Sequence, residues 1–136
     1  MRIAVTASGN DLDAQFVPVF GRCPVYVFVD TETLAFEAVP NQAAGAGGGA
    51  GIQAAQFIAS QGVGAVITGH VGPNAFQVLA AARVPVLIFS GSTVREAVDA
   101  YKAGRLAPVS AATGPAHAGM GMMRGGGLGR RGKGRS

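Results

Sequence analysis

Three segments hold the residue types that could do chemistry. Gly69-His70-Val71-Gly72-Pro73-Asn74 places an imidazole beside glycines, directly after an apolar run. A histidine shielded so little can ligate a metal, or it can remain a solvated, hydrogen-bonded side chain. Phe20-Gly21-Arg22-Cys23-Pro24 carries the only cysteine. Next to Arg22 a thiolate would be favoured, which suits metal binding and nucleophilic attack. A single cysteine is otherwise a small buried hydrophobe. The third segment is the glycine run Gly45-Ala46-Gly47-Gly48-Gly49-Ala50-Gly51. Small residues leave amides unshielded at a helix start, where the dipole favours anions, or they merely permit a sharp turn. The run loosely fits a dinucleotide fingerprint, but no acid lies between Glu37 and Glu96 and no lysine follows the glycines. A ribose-binding carboxylate and a P-loop are therefore both missing. Asn10, Asp11 and Asp13 cluster in the first loop as turn formers or ligand contacts. No serine or cysteine has a partnered base near it in sequence, so no enzyme is expected.

These segments need elements to hold them. Arg2–Ala7 and Val25–Asp30 are β-type runs, and residues 35–39 make a third, ended by Pro40. A helix is predicted over residues 50–61, with Ile52, Ala55, Ile58 and Ala59 on its apolar face and Gly62 as its stop. Ala65–Thr68 and residues 86–89 are strands four and five. Between them Asn74 caps a second helix bearing Ala75, Val78, Leu79 and Ala82. Thr93 and Glu96 form a capping box for a third, with a stripe of Val94, Ala97, Val98 and Tyr101, ended by Gly104. The order βββαβαβα predicts an α/β domain with a five-stranded mixed sheet. Tight connections make the first three strands antiparallel, and the crossovers make four and five parallel. One rim then gathers residues 8–23, 41–51, 69–74 and 90–93. Open α/β sheets bind ligands at such a rim.

Charge divides the chain. Residues 1–106 hold six Lys and Arg against seven Asp and Glu, a net of −1, whereas residues 107–136 hold five basic residues and no acid. The tail has nine glycines and few large apolar side chains, so it is expected to be disordered, with the folded domain over residues 1–106. Its Arg/Gly pattern would hold a polyanion, and His117, Met120, Met122 and Met123 add soft donors. With no aromatic residue interleaved and a slightly acidic domain, nucleic acid is not the expected partner. One cysteine excludes a disulfide framework and a four-thiolate cluster site. No apolar run is long enough to span a membrane, and residues 1–7 read as a strand rather than a leader, so the expected location is the cytoplasm.

Taken together, Phe20–Pro24, the glycine run into Ile52-Gln53-Ala54-Ala55, the stretch from Ile67 to Ala75, and Thr93-Val94-Arg95-Glu96-Ala97 resemble the dinitrogenase iron–molybdenum cofactor biosynthesis family. These are the NifX-like domains also found at the carboxyl end of NifB. The resemblance implies a ribonuclease-H-like fold without nuclease activity. It implies a protein that binds or ferries an iron–sulfur, iron–molybdenum or molybdenum–copper sulfide cluster, with cluster donor or acceptor proteins as partners and a homo-oligomer allowed. Carried onto this chain, the cofactor-binding residues are Ser8, Asn10, Arg22, Cys23, Gly47, Gly48, Gly49, Gly51, His70 and Asn74, with His70 and Cys23 as metal ligands. Some relatives that store iron as thioferrate carry a similar cationic tail. The radical-enzyme cysteine motif of NifB is missing, so no cofactor assembly chemistry is implied. The rival expectations are a nucleotide- or phosphate-binding module and an RNA-associated protein acting through the Arg/Gly tail.

Overall fold

A computed structural model describes residues 1–43 and 50–109. The expected positions Gly45, Gly47, Gly48 and Gly49, and all of the tail from residue 110, lie outside the described residues. The elements are β1 (Arg2–Ala7), β2 (Val25–Asp30), β3 (Phe36–Pro40), α1 (Ala50–Ser60), β4 (Ala65–Thr68), α2 (Pro73–Ala81), β5 (Val86–Ile88) and α3 (Val94–Lys102). They build one sheet in the order β3-β2-β1-β4-β5. β1 pairs antiparallel with β2, and β2 with β3; β1 pairs parallel with β4, and β4 with β5. The ends of β1, β3, β4 and β5 and the start of β2 therefore share one rim.

Period-2 alternation along the strands feeds a core on each face of the sheet. Ala4, Tyr26, Phe28, Val66 and Val86 point toward α1 and α2, meeting Ala54, Ala55, Ile58, Ala75 and Leu79. Ile3, Val5, Val27, Val29, Ile67 and Leu87 point toward α3, meeting Val94, Ala97 and Val98. β1, β2 and β4 are buried on both faces, which is why they read as unbroken apolar runs.

Several local expectations are corrected. Asn74 does not cap α2: Gly72 is the N-cap and Pro73 the first helical residue, because proline's fixed φ starts a helix and its missing N–H costs nothing there. In α1 the buried line runs through Ala50, Ala54, Ala55 and Ile58, leaving Ile52 and Ala59 half-buried. In α3 the stripe gains buried Ala100, and Tyr101, half-buried against the same core as expected, also donates its hydroxyl to Met1 Sδ at 3.4 Å. The Thr93–Glu96 capping box is present. Pro40 ends β3 from within; it pairs with Val25 on an edge strand, where the absent N–H breaks no ladder bond. β5 stops at Ile88, although the Phe89 amide still donates to Thr68 at 3.0 Å. Beyond α3 the chain returns to β5, Pro108 bridging Leu87 and the Val109 amide donating to Val86 at 2.9 Å. Ordered pairing thus runs three residues past the expected boundary at residue 106.

The segment between β1 and β2 crosses the rim from one face to the other. Leu12 and Phe16 pack in the α3-side core, whereas Phe20 and Cys23 pack in the α1–α2 core. The crossing needs Gly69 beneath it. A β-carbon there would lie 2.5 Å from the Pro18 Cβ and 2.9 Å from its carbonyl oxygen. Gly69→Ala should therefore destabilise the protein by about 2–3 kcal/mol. Gly72→Ala, where an added carbon meets nothing within 4 Å, should cost no more than about 1 kcal/mol, the penalty for alanine at an N-cap. Urea unfolding of the two variants checks the contrast.

Candidate functional site at the sheet rim

The site is built by the crossing segment. Two buried hydroxyls start it: Thr6 Oγ1 donates to the Val17 carbonyl and lies 3.2 Å from Thr68 Oγ1. The chain then pairs with the loop after β4, Val19 bridging His70 and the Phe20 amide donating to the His70 carbonyl at 3.2 Å. At Phe20 it turns. The Phe20 carbonyl accepts from Tyr26 Oη at 2.5 Å and from Cys23 Sγ at 3.4 Å. Buried Asn41 closes the turn, its Nδ2 donating to the carbonyls of Gly21 at 3.1 Å and Cys23 at 2.9 Å while its Oδ1 accepts from the Ala43 amide at 3.0 Å.

The turn lies against two helix starts. A β-carbon on Gly21 would sit 3.0 Å from Gly51 Cα and 3.1 Å from Gly51 N, and one on Gly51 would sit 3.4 Å from Ala75 Cβ. Arg22, Gly51, His70 and Asn74 are therefore brought to one patch of rim, and the side chains of Arg22, His70 and Asn74 are exposed. No side chain caps α2. The start of α2, like Gly51 at the start of α1, lies beside this turn.

The other expected residues lie elsewhere. Ser8 and Asn10 sit on the limb that leans on α3. Asp11 Oδ1 accepts from the Asp13 amide at 3.0 Å, the turn-forming role. Asp13 pairs with Arg95 at 3.0 Å, and that guanidinium holds the carboxyl below the usual carboxylate range. The start of α3 is closed to any ligand. The amides of Val94 and Arg95 donate to Ala14 and Leu12, and that of Glu96 to Thr93 Oγ1. Cys23 belongs to the patch in chain position only. Its sulfur is buried, and burial pushes the thiol up to about 11, so the expected Arg22-favoured thiolate is reversed. The small-hydrophobe reading fits instead. Among the described residues no three His, Cys, Asp or Glu side chains converge as a metal site. Asn41, Tyr26 and Thr6 were missed by sequence reasoning; nothing but the buried position of an asparagine after a strand could have flagged the first.

Comparison with known proteins places this rim in context. A family model described as dinitrogenase iron–molybdenum cofactor matches residues 1–104. The apo orange protein of Desulfovibrio gigas superposes with a TM-score of 0.79 at 43% identity, covering 83% of this chain and 96% of that one. A candidate NifB protein of Thermotoga superposes with a TM-score of 0.72 at 38% identity, covering 84% and 97%. An uncharacterized protein of Methanocaldococcus jannaschii is 29% identical over 109 residues, 78% of this chain and 89% of that protein.

Two measurements check the geometry. Asn41→Ala leaves two buried carbonyls without their donor and should cost about 2–4 kcal/mol in urea unfolding. For Cys23, the folded thiol at about 11 stands above its ordinary 9.0. The unfolded chain then loses the proton first as pH rises. The stability contribution should be complete below pH 9 and disappear between pH 9 and 11, and Cys23→Ala should flatten that part of the profile. In the native protein a thiol reagent at neutral pH should react only at the rate of opening.

Proposed function

We propose a function from one premise: the chain belongs to the dinitrogenase iron–molybdenum cofactor family. Its role is the non-catalytic carriage or storage of a metal–sulfide cluster, which is cargo rather than a resident cofactor. The observation that supports this reading is the joining of Arg22, His70 and the starts of α1 and α2 by the Gly21–Gly51 contact. A metal–sulfide cluster is a polyanion. It is attracted by amides at helix starts and by a guanidinium, and one imidazole can replace a labile ligand. Cys23 takes no part as a ligand while its sulfur stays in the core. A site with one protein ligand binds by charge and shape, so it releases cargo more readily than a four-thiolate site. Ease of release suits a carrier.

In this reading the sheet is a ribonuclease-H-like one used for binding. The cluster class, whether iron–sulfur, iron–molybdenum precursor or molybdenum–copper sulfide, follows from the family resemblance and not from the donor set. Partners would be the proteins that give and take the cluster.

The test is anaerobic incubation of the protein with iron, sulfide and molybdate, then gel filtration, absorption spectroscopy and elemental analysis. Coloured protein with bound metal is expected. His70→Ala and Arg22→Ala should each lower the metal per chain at least about threefold, and the unfolding midpoint of His70→Ala should be unchanged because that side chain is exposed. Wild-type protein that elutes colourless and metal-free would sink the reading. Heat on titrating ATP or inorganic phosphate, with no metal uptake, would favour the phosphate-binding module.

A further inference from the structure

Arg22 is exposed, yet its backbone is held on the inner side of the turn. Two peptide planes meet at its Cα. The plane shared with Cys23 is anchored by the Cys23 amide, which donates to the Val19 carbonyl at 3.1 Å. The plane shared with Gly21 is anchored by a side chain: Asn41 Nδ2 donates to the Gly21 carbonyl at 3.1 Å. The same nitrogen donates to the Cys23 carbonyl at 2.9 Å, one peptide beyond. Asn41 therefore spends both hydrogens of its side-chain amide on carbonyls that bracket Arg22. Its other end is committed as well. Oδ1 accepts from the Ala43 amide at 3.0 Å, and a backbone N–H can only donate, so this contact fixes which end faces the turn. The Asn41 backbone amide donates to Pro24 at 2.8 Å, so backbone and side chain grip the turn together from the end of β3. The neighbouring side-chain donors, Tyr26 Oη and Cys23 Sγ, are both aimed at the Phe20 carbonyl. Asn41 is 9% exposed, which keeps bulk water from competing for these bonds.

We infer that Asn41 is a positioning residue for the cluster site: it sets the place from which Arg22 reaches the cargo without touching the cargo itself. This role deepens the carrier reading and rests on it. Arginine is long and rich in rotamers. On a mobile turn it would lose backbone as well as side-chain freedom on meeting an anion; on a fixed turn it loses only the second. Holding the turn in advance is thus a contribution to affinity made from the interior.

Aspartate is the substitution that separates this role from packing. It has the shape of asparagine and keeps an oxygen for the Ala43 amide. Ionised, it turns lone pairs toward the Gly21 and Cys23 carbonyls and repels them; protonated, it donates to one of them. Burial and the two facing carbonyls raise the pKa of the introduced carboxyl. The titratable and charged groups around it are the Cys23 thiol and the Tyr26 hydroxyl, which burial keeps protonated at neutral pH, and the Arg22 guanidinium on the turn. Helix α1 adds none. The substituted turn should close in acid and open near neutral pH, a step that asparagine does not have.

The test uses the full-length protein. In the metal-free state the NMR order parameter of the Arg22 amide should be about 0.85 in wild type, fall below about 0.6 in Asn41→Asp at about pH 7.5, and recover by about pH 5. After anaerobic loading with iron, sulfide and molybdate at neutral pH, Asn41→Asp should carry at least about threefold less metal per chain than wild type. Added to Arg22→Ala it should lower the load by less than about 1.5-fold further, because both act through one side chain, whereas added to His70→Ala it should keep its full effect. Unshifted amides in β1 and α3 show that the variant is folded. If it folds at neither pH, Asn41→Ser, neutral and shorter, should lower the Arg22 order parameter at both. An Arg22 amide as ordered in these variants as in wild type would overturn the inference, and so would a loss of metal that adds in full to that of Arg22→Ala. Wild-type protein that takes up no metal refutes the carrier reading instead, and the order parameter, read without cargo, tells the two failures apart.

Discussion

The structure turns on the carbonyl of Phe20. A segment that crosses the rim of a sheet leaves both faces of its backbone without a ladder, and buried polar groups must be paired somewhere. Here two side-chain donors, Tyr26 Oη and Cys23 Sγ, converge on one carbonyl, and Asn41 takes the next two that face inward. Those bonds fix a tight turn where a loop would otherwise wander. The turn in turn sets the height of Gly21 against Gly51, and so the distance between Arg22, His70 and the starts of two helices. Removing a buried acceptor's donor costs more than the bond was worth, because the desolvation remains. The exposed residues of the site inherit their positions from residues that never touch solvent.

This division explains what could be read from the sequence. Strands buried on both faces have unbroken apolar runs, and helices have their stripes and stops, so the α/β class and the elements were legible. So was the shared rim, because crossover connections fix strand direction. The partners of the crossing segment were not. Thr6, Tyr26 and Asn41 look like ordinary strand and turn residues until the fold brings them to carbonyls of the crossing segment, six to twenty residues away. Burial was equally invisible at Cys23: the adjacent arginine argues for a thiolate, but in the fold one side chain faces water and the next faces the core. The acidic residues of the first loop were ambiguous for a related reason, since Arg95, which claims Asp13, lies 82 residues away. Asn74 shows a local error of another kind. Two plausible start signals stood side by side, and proline, which constrains the backbone itself, prevailed over a side-chain cap.

The three helix starts give a physical basis for choosing the rim patch over the rest of the edge. Each presents amides with no intrahelical acceptor. At α3 the chain's own carbonyls and the Thr93–Glu96 box consume them, so that start is structural. At α2 proline removes one amide and no side chain caps the others. The residue types in front of α1 and α2 are glycine, arginine and histidine, with no carboxylate in the patch. An anion approaching this edge therefore meets the starts of two helices and the exposed Arg22 beside them. Approaching the α3 limb it meets Asp11 and Asp13. The slight negative charge of the domain as a whole makes this local asymmetry more consequential, because binding must come from the patch and not from a general field.

The exit of the tail bears on how cargo and cation are related. Pro108 and Val109 run antiparallel to β5, so the chain leaves pointing away from the rim where His70 and Arg22 lie. The basic residues begin only at Arg124, fifteen residues further on. Among the described residues, then, the cation and the amides that an anion meets at this rim are the ones the fold itself brings there, Arg22 and the starts of α1 and α2, and the pull of the patch has to be accounted for by them.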